Sequence, residues 1–157
     1  MQLTAIFQGI ETSQLVRLVA TLPGLYPALS AMHILGIGLL VGSIVTVDLR
    51  LLRVLGTALD SALPWLVRLA LSGFAIAALT GVFLASVRIG TYAQNAAFLT
   101  KMGILTAAGA NALILRLAMG SADITPALGR RHGMVAAGLS LALWPAAVFA
   151  GRWIAFV

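Results

Sequence analysis

Cysteine is absent from this sequence, and charged residues are scarce. The lack of cysteine excludes disulfides, thiolate metal sites and thiol redox chemistry, so any metal must be held by histidine, methionine or oxygen ligands. Asp, Glu, Lys and Arg make up only 9% of the chain, whereas soluble domains contain about 25%. With 61% hydrophobic residues, the composition is that of an integral membrane protein.

The few charges are strongly biased towards basic residues. Ten Lys and Arg residues stand against four Asp and Glu residues, which gives a formal net charge of +6. They are spread along the chain, and this excludes the clustered basic patch that nucleic-acid binding requires. Basic residues between apolar segments indicate loop anchors facing anionic lipid, so the lipid bilayer is the predicted partner.

Four stretches are long and apolar enough to cross a bilayer, which takes roughly 20 residues in a helix. They cover residues 25–47, 69–87, 96–115 and 133–151. The linkers GTALDSALP and GSADITPALG are rich in turn residues, so neighbouring spans are antiparallel. An apolar stripe before Pro23 and Gly24 predicts a short interfacial helix within residues 1–23. The predicted fold is therefore all-α, a four-helix antiparallel bundle forming one membrane domain over residues 1–157.

The arginines predict how the bundle is oriented. Six of the ten basic residues fall on the side that holds residues 48–68 and 116–131, and four fall on the other side. Because basic residues favour the cytoplasmic side, both termini are expected on the opposite, outer side.

Small residues are frequent in the spans. Gly38 and Gly42 form a GxxxG pattern, which allows two helix backbones to approach closely in lipid. Two interpretations remain open, namely packing within the bundle and a homodimer through Gly38 and Gly42.

Ionisable groups inside a span are costly and are therefore the first candidates for function. A rise of about 1.5 Å per residue, counted from the outer ends, places His33 about 12 Å and Lys101 about 8 Å deep. The same count puts Thr80 about 12 Å and Trp144 about 10 Å deep. Together with Met102 beside Lys101, these residues predict one polar layer near the outer leaflet.

His33 has structural and functional interpretations. As a structural residue it would donate a hydrogen bond to a backbone carbonyl or to Ser30. As a functional residue it would be an axial haem ligand, with Gly36 one turn away opening a slot between helices. A copper site with Met102 as a soft ligand is the alternative. His132 lies about 25 Å away along the membrane normal, too far to share one haem with His33.

Four further polar residues also have expected roles. Lys101 either extends to the interface or presents a cation to a haem propionate or a substrate carboxylate. Asp48 and Arg116 end neighbouring spans on the same side and are expected to form an ion pair. Asn111 is expected to make a hydrogen bond between helices.

Two segments carry a family likeness. SAMHILGIGLLVGSIVTVDLRLL and NAAFLTKMGILTAAGAN resemble the superfamily of small four-helix proteins that includes copper-resistance D-type membrane proteins and HemJ-type protoporphyrinogen oxidases. The closing GRWIAF resembles uncharacterised bacterial members of that superfamily. The resemblance implies a bacterial inner (plasma) membrane location, and the distribution of basic residues then predicts periplasmic termini. In HemJ-type enzymes haem b is bound, and a first-span histidine and a lysine opening a later span are important; these positions fall on His33 and Lys101.

The combined hypothesis is a haem b or related redox site near the outer leaflet, held through His33 as the metal ligand. The candidate cofactor-binding residues are His33, Lys101, Gly36, Thr80, Trp144 and Met102. A HemJ-type oxidoreductase activity, with a redox protein or quinone as partner, goes with this hypothesis, although no catalytic residue can be named. A copper-transfer protein and an accessory subunit without cofactor are the alternatives.

Overall fold

The computed structural model describes residues 2–119 and 124–156, and within these ranges it is built from helices and short turns. The seven α-helices in these ranges are α1 (Gln2–Glu11), α2 (Gln14–Thr21), α3 (Leu25–Leu51), α4 (Leu63–Ser86), α5 (Ile89–Tyr92), α6 (Ala96–Met119) and α7 (Arg131–Trp153). Three short 3₁₀ segments cover Thr57–Ala62, Thr125–Ala127 and Ile154–Phe156. Helices α3, α4, α6 and α7 are each long and apolar enough to cross a membrane. The predicted all-α membrane bundle is thereby confirmed.

The helices extend beyond several of the predicted ends, and the largest differences are at the start of α4 and in the N-terminal segment. Helix α4 begins at Leu63, six residues before the predicted span, because Pro64 at its start is already fixed in a helical φ. The N-terminal segment forms the two helices α1 and α2 rather than one interfacial helix, and Ser13 between them is extended. The first four residues of the linker GSADITPALG lie outside the described residues.

The surface of the bundle is largely apolar. Leu79, Ile114 and Phe149 are 65%, 67% and 74% exposed, and similar side chains surround all four long helices. Such a surface would be unstable in water but is well solvated by lipid tails. The structure therefore supports contact of these helices with a lipid bilayer.

Helix α3 is the centre of the bundle. It packs against α4 on one side and α7 on the other, and α6 packs against α7. Helices α4 and α6 have no extended contact with each other. Each long helix contributes one residue to a shared central cluster of Leu40, Ala70, Ala108 and Trp144. A second cluster lies towards the Thr57–Ala62 segment and includes Val47, Leu51, Leu63, Ala127 and Ala137.

Glycines bring α3 and α4 into backbone contact. A Cβ atom on Gly73 would lie 2.5 Å from the Leu40 backbone nitrogen and 2.7 Å from the Gly36 carbonyl oxygen. A Cβ on Gly38 or Gly42 would have no neighbour within 4 Å. The GxxxG pair is thus on the outer surface, and the interpretation that it packs within the bundle is wrong. The homodimer through Gly38 and Gly42 stays a prediction.

Polar contacts between helices differ in part from those expected. Asn111 of α6 donates a hydrogen bond of 2.9 Å to the Ala136 carbonyl of α7, as predicted. The expected pair of Asp48 with Arg116 is wrong, since the ion pair found in the described chain joins Arg50 to Asp60. Its two hydrogen bonds measure 2.6 and 3.1 Å. Asp48 is turned into the core instead.

Candidate functional site

The candidate site lies at the end of the bundle that carries α1, α2 and α5, which we call the α5 end. His33 is two turns into α3, and Thr80 is nearly two turns before the end of α4. Lys101 is in the second turn of α6, and Gly151 is close to the end of α7. Because the helices are antiparallel, these four positions share one level. His33, Thr80 and Lys101 therefore lie at one level of the bundle, as the helical rise predicts.

The His33 ring fits between α3 and α4 because α4 presents small residues to it. The ring lies against Gly81, where an added Cβ would be 2.9 Å from the imidazole Cε1 atom and 3.3 Å from Nδ1. Any larger residue at this position would push the ring away. Helices α3 and α4 also approach each other closely at Gly36 and Gly73. Gly73 is about two turns before Gly81 on α4, so the two close contacts are neighbours along this helix.

Two oxygen atoms of α4 hold the His33 ring in one orientation. Its Nδ1 atom is 2.8 Å from the Ala77 carbonyl oxygen and 3.1 Å from the Thr80 hydroxyl oxygen. A carbonyl oxygen only accepts, so Nδ1 carries the proton and donates to it. The Thr80 hydroxyl donates its own hydrogen to the Ile76 carbonyl at 2.6 Å, and this leaves its lone pairs facing Nδ1. In a neutral ring, Nε2 therefore keeps an unprotonated lone pair.

The hydrogen bond from Nδ1 determines which ring nitrogen of His33 is left for a ligand. Histidines that bind metals commonly donate their other ring N–H to a backbone carbonyl, which fixes the tautomer and aims the free nitrogen at the ligand. The Ala77 carbonyl provides this contact for His33. The ring can accept a proton or bind one metal ion through Nε2.

Lys101 supplies a positive charge at the same level. Its side chain extends from α6 across Gly151 of α7, where an added Cβ would be 3.3 Å from Nζ. No acidic residue of the described chain forms an ion pair with Lys101. The ammonium is thus available to an anionic group of a ligand.

A recess of about 460 Å³ opens at the α5 end on the same side of α3. Tyr26 lines it two turns before His33, and Leu84 lines it one turn after Thr80. Arg88 and Tyr92 add a second cation and a phenol to the wall. The recess is large enough for part of a ring-shaped ligand, and His33, Thr80 and Lys101 are not among the residues that line it.

The structure does not bring three of the predicted site residues to His33. Gly36 opens no slot, because the α4 backbone fills the space beside it, with the Ala77 nitrogen 2.8 Å from an added Cβ. Trp144 packs edge to face on Phe74, with ring centroids 6.1 Å apart, in the central cluster about two turns deeper. Met102 is on the outer surface and is 37% exposed, since it is rotated about 100° from Lys101 on the helix.

The sequence did not indicate Ala77, Gly81 or Gly151 as site residues. The Ala77 carbonyl accepts a hydrogen bond from His33. Gly81 and Gly151 leave room for the side chains of His33 and Lys101 because they have none of their own. The spacing of Ala77 and Gly81, four residues apart on one helix face, is the only signal they carry. His132 lies at the opposite end of the bundle and is exposed, as the count along the helices predicted.

The fold and this site define a multi-pass membrane protein with one half-buried histidine at the α5 end of a four-helix bundle. The chain belongs to the family of unknown function DUF6644, whose model matches residues 6–157. That match includes α2 to α7 in full. No curated protein and no solved structure matches the chain significantly.

Proposed function

We propose that this protein binds a haem b-type cofactor at the α5 end, where the Nε2 atom of His33 would hold the iron. The observation that supports this proposal most strongly is the hydrogen bond from Nδ1 to the Ala77 carbonyl, because it orients Nε2 as a free ligand atom. With periplasmic termini, as the arginine distribution predicts, the cofactor lies near the periplasmic leaflet of a bacterial inner membrane.

The residues at this level fit part of what a haem requires. One imidazole nitrogen is sufficient for a five-coordinate iron. The Lys101 ammonium is free to hold a propionate group. The side of α3 at Gly36 is filled by α4, so the cofactor belongs on the side of the bundle where α4 and α6 have no extended contact. When bound, the haem would supply one-electron redox chemistry, which the chain itself lacks.

Copper transfer is the weaker proposal on these contacts. A copper site needs at least two nitrogen or sulfur ligands. Met102 is exposed on the outer surface, and the described residues contain no group of three His, Asp or Glu side chains that could hold a metal ion. A haem needs only the one ligand atom that His33 offers. The likeness of His33 and Lys101 to the HemJ-type positions supports the same choice, and a HemJ-type oxidoreductase with a quinone or redox protein as partner would follow from it.

The test is the visible spectrum of protein purified after expression with added haem precursor. We expect a Soret band in the wild type, its loss in His33→Ala, and its retention in His132→Ala, which removes the exposed histidine at the other end. In Gly81→Ala the added methyl group displaces the ring, and haem affinity should fall by roughly 10- to 100-fold. Gly103→Ala is the matched control, since a Cβ there meets nothing within 4 Å.

A featureless visible region in the wild type contradicts the haem proposal. If copper is then bound stoichiometrically, and is lost in Met102→Ala, the protein is a copper-transfer protein. If neither cofactor is found and His33→Gln retains the fold, the accessory subunit without cofactor is the better description. A Soret band that survives in His33→Ala places the haem elsewhere.

A further inference from the structure

Asp48 brings a carboxyl group into the core at the opposite end of α3 from His33. The residue is only 3% exposed, and its neighbour Val47 is fully buried in the cluster with Leu51 and Ala137. Ser140 of α7 is placed to donate a hydrogen bond to the carboxyl group. The second oxygen, Oδ2, is buried and has no hydrogen-bond partner in the described chain.

The charged groups around Asp48 are directed elsewhere. Arg50 is held by Asp60 in a two-point contact, and the Arg53 guanidinium donates to the Gly129 carbonyl. The remaining charged or titratable groups that the structure describes on the adjoining elements at this end are exposed at the surface: Arg68, Arg116, Arg130, Arg131 and His132. None of these described groups forms an ion pair with Asp48.

An ionised carboxylate is very unfavourable in such a place. Taking it out of water requires a counter-ion or several hydrogen-bond donors to compensate, and Ser140 supplies one donor at most. A neutral carboxyl group needs far less compensation, because one protonated oxygen and one carbonyl oxygen carry no net charge. A metal cation is a poor alternative, since hard cations take about six or more oxygen ligands.

We propose that Asp48 is a proton-binding site in the bundle core, occupied at neutral pH and lying between α3 and α7. The site is about 22 Å from the level of His33, given 15 residues at about 1.5 Å each, and it does not depend on the haem proposal. Helix α3 thus carries an imidazole at one end and a carboxylic acid at the other. Ionisable groups held inside a membrane bundle in this way commonly belong to proton pathways.

Infrared spectroscopy of the full-length protein in bilayers at neutral pH tests the assignment. The chain contains four Asp and Glu residues, so few carboxyl groups compete for assignment. We expect a carbonyl stretching band of a protonated carboxylic acid in the wild type, absent from Asp48→Asn and unchanged in Asp60→Asn. In Ser140→Ala the same band should move to higher frequency, because the carbonyl oxygen loses its hydrogen bond.

If Asp48→Asn fails to fold, the shift of the carboxylic acid band in Ser140→Ala still tests the assignment. The proposal is overturned by the absence of a carboxylic acid band at neutral pH. It is equally overturned by a band that remains in Asp48→Asn, or by one that Ser140→Ala leaves in place. A carboxylate band that shifts when sodium is added would show a cation site rather than a proton site.

Discussion

Gly73→Ala should lower the free energy of unfolding of the bundle by about 3 kcal/mol. The added Cβ would lie 2.5 Å from the Leu40 nitrogen and 2.7 Å from the Gly36 oxygen, and both are backbone atoms that cannot rotate away. The gain in helix propensity from Gly to Ala, about 1 kcal/mol, acts in the opposite direction but is smaller. Reversible unfolding of the detergent-solubilised protein by increasing denaturing detergent measures the difference.

Gly38→Ala is the matched control because a Cβ at this position meets nothing within 4 Å. We expect its unfolding midpoint to equal or exceed that of the wild type. Equal destabilisation by both substitutions would contradict the α3 to α4 contact described above. If Gly38→Ala instead changes the proportion of dimer at constant monomer stability, the homodimer through Gly38 and Gly42 is supported.

Trp144→Ala is expected to cost a similar amount, about 3 kcal/mol. Trp144 is 6% exposed and is the largest side chain in the cluster that joins all four long helices. Since lipid tails are as apolar as the protein interior, the loss comes mainly from the cavity and the missing dispersion contacts. Thermal unfolding followed by circular dichroism measures it.

Trp65→Ala is the control for this substitution, because Trp65 is 72% exposed. It should leave the unfolding temperature almost unchanged. The amount of haem bound per folded molecule should also be the same in Trp144→Ala as in the wild type, since Trp144 is below the level of His33. A selective loss of haem in Trp144→Ala with unchanged stability would show that Trp144 belongs to the haem site.

The sequence is sufficient to predict the bundle and the level of the site. Hydropathy identifies the four spans because a bilayer excludes unpaired backbone groups, so that each apolar stretch of this length must be helical. The depth of His33, Thr80 and Lys101 follows from the fixed rise per residue, and the structure places the three residues at one level.

The direction in which each side chain points could not be predicted in the same way. It depends on the rotation of every helix about its own axis, and in a span that is apolar on all sides the hydrophobic pattern gives no information about that rotation. The sequence for this reason did not predict that Gly36 faces α4 or that Met102 faces outwards. It also did not predict that Asp48 faces the core rather than Arg116. Trp144 shows a related error in depth, because Gly151, from which its depth is counted, lies at the level of Lys101 rather than at the outer end of the bundle.

The orientation of the His33 ring is tested most directly by the ¹⁵N NMR spectrum of its imidazole. The protein is labelled at histidine and prepared without haem, and it carries His132→Gln so that one histidine signal remains. In the neutral ring we expect the proton on Nδ1 and an unprotonated Nε2, because the Ala77 carbonyl accepts the hydrogen bond from Nδ1. A neutral ring with the proton on Nε2 and Nδ1 bare would contradict this orientation.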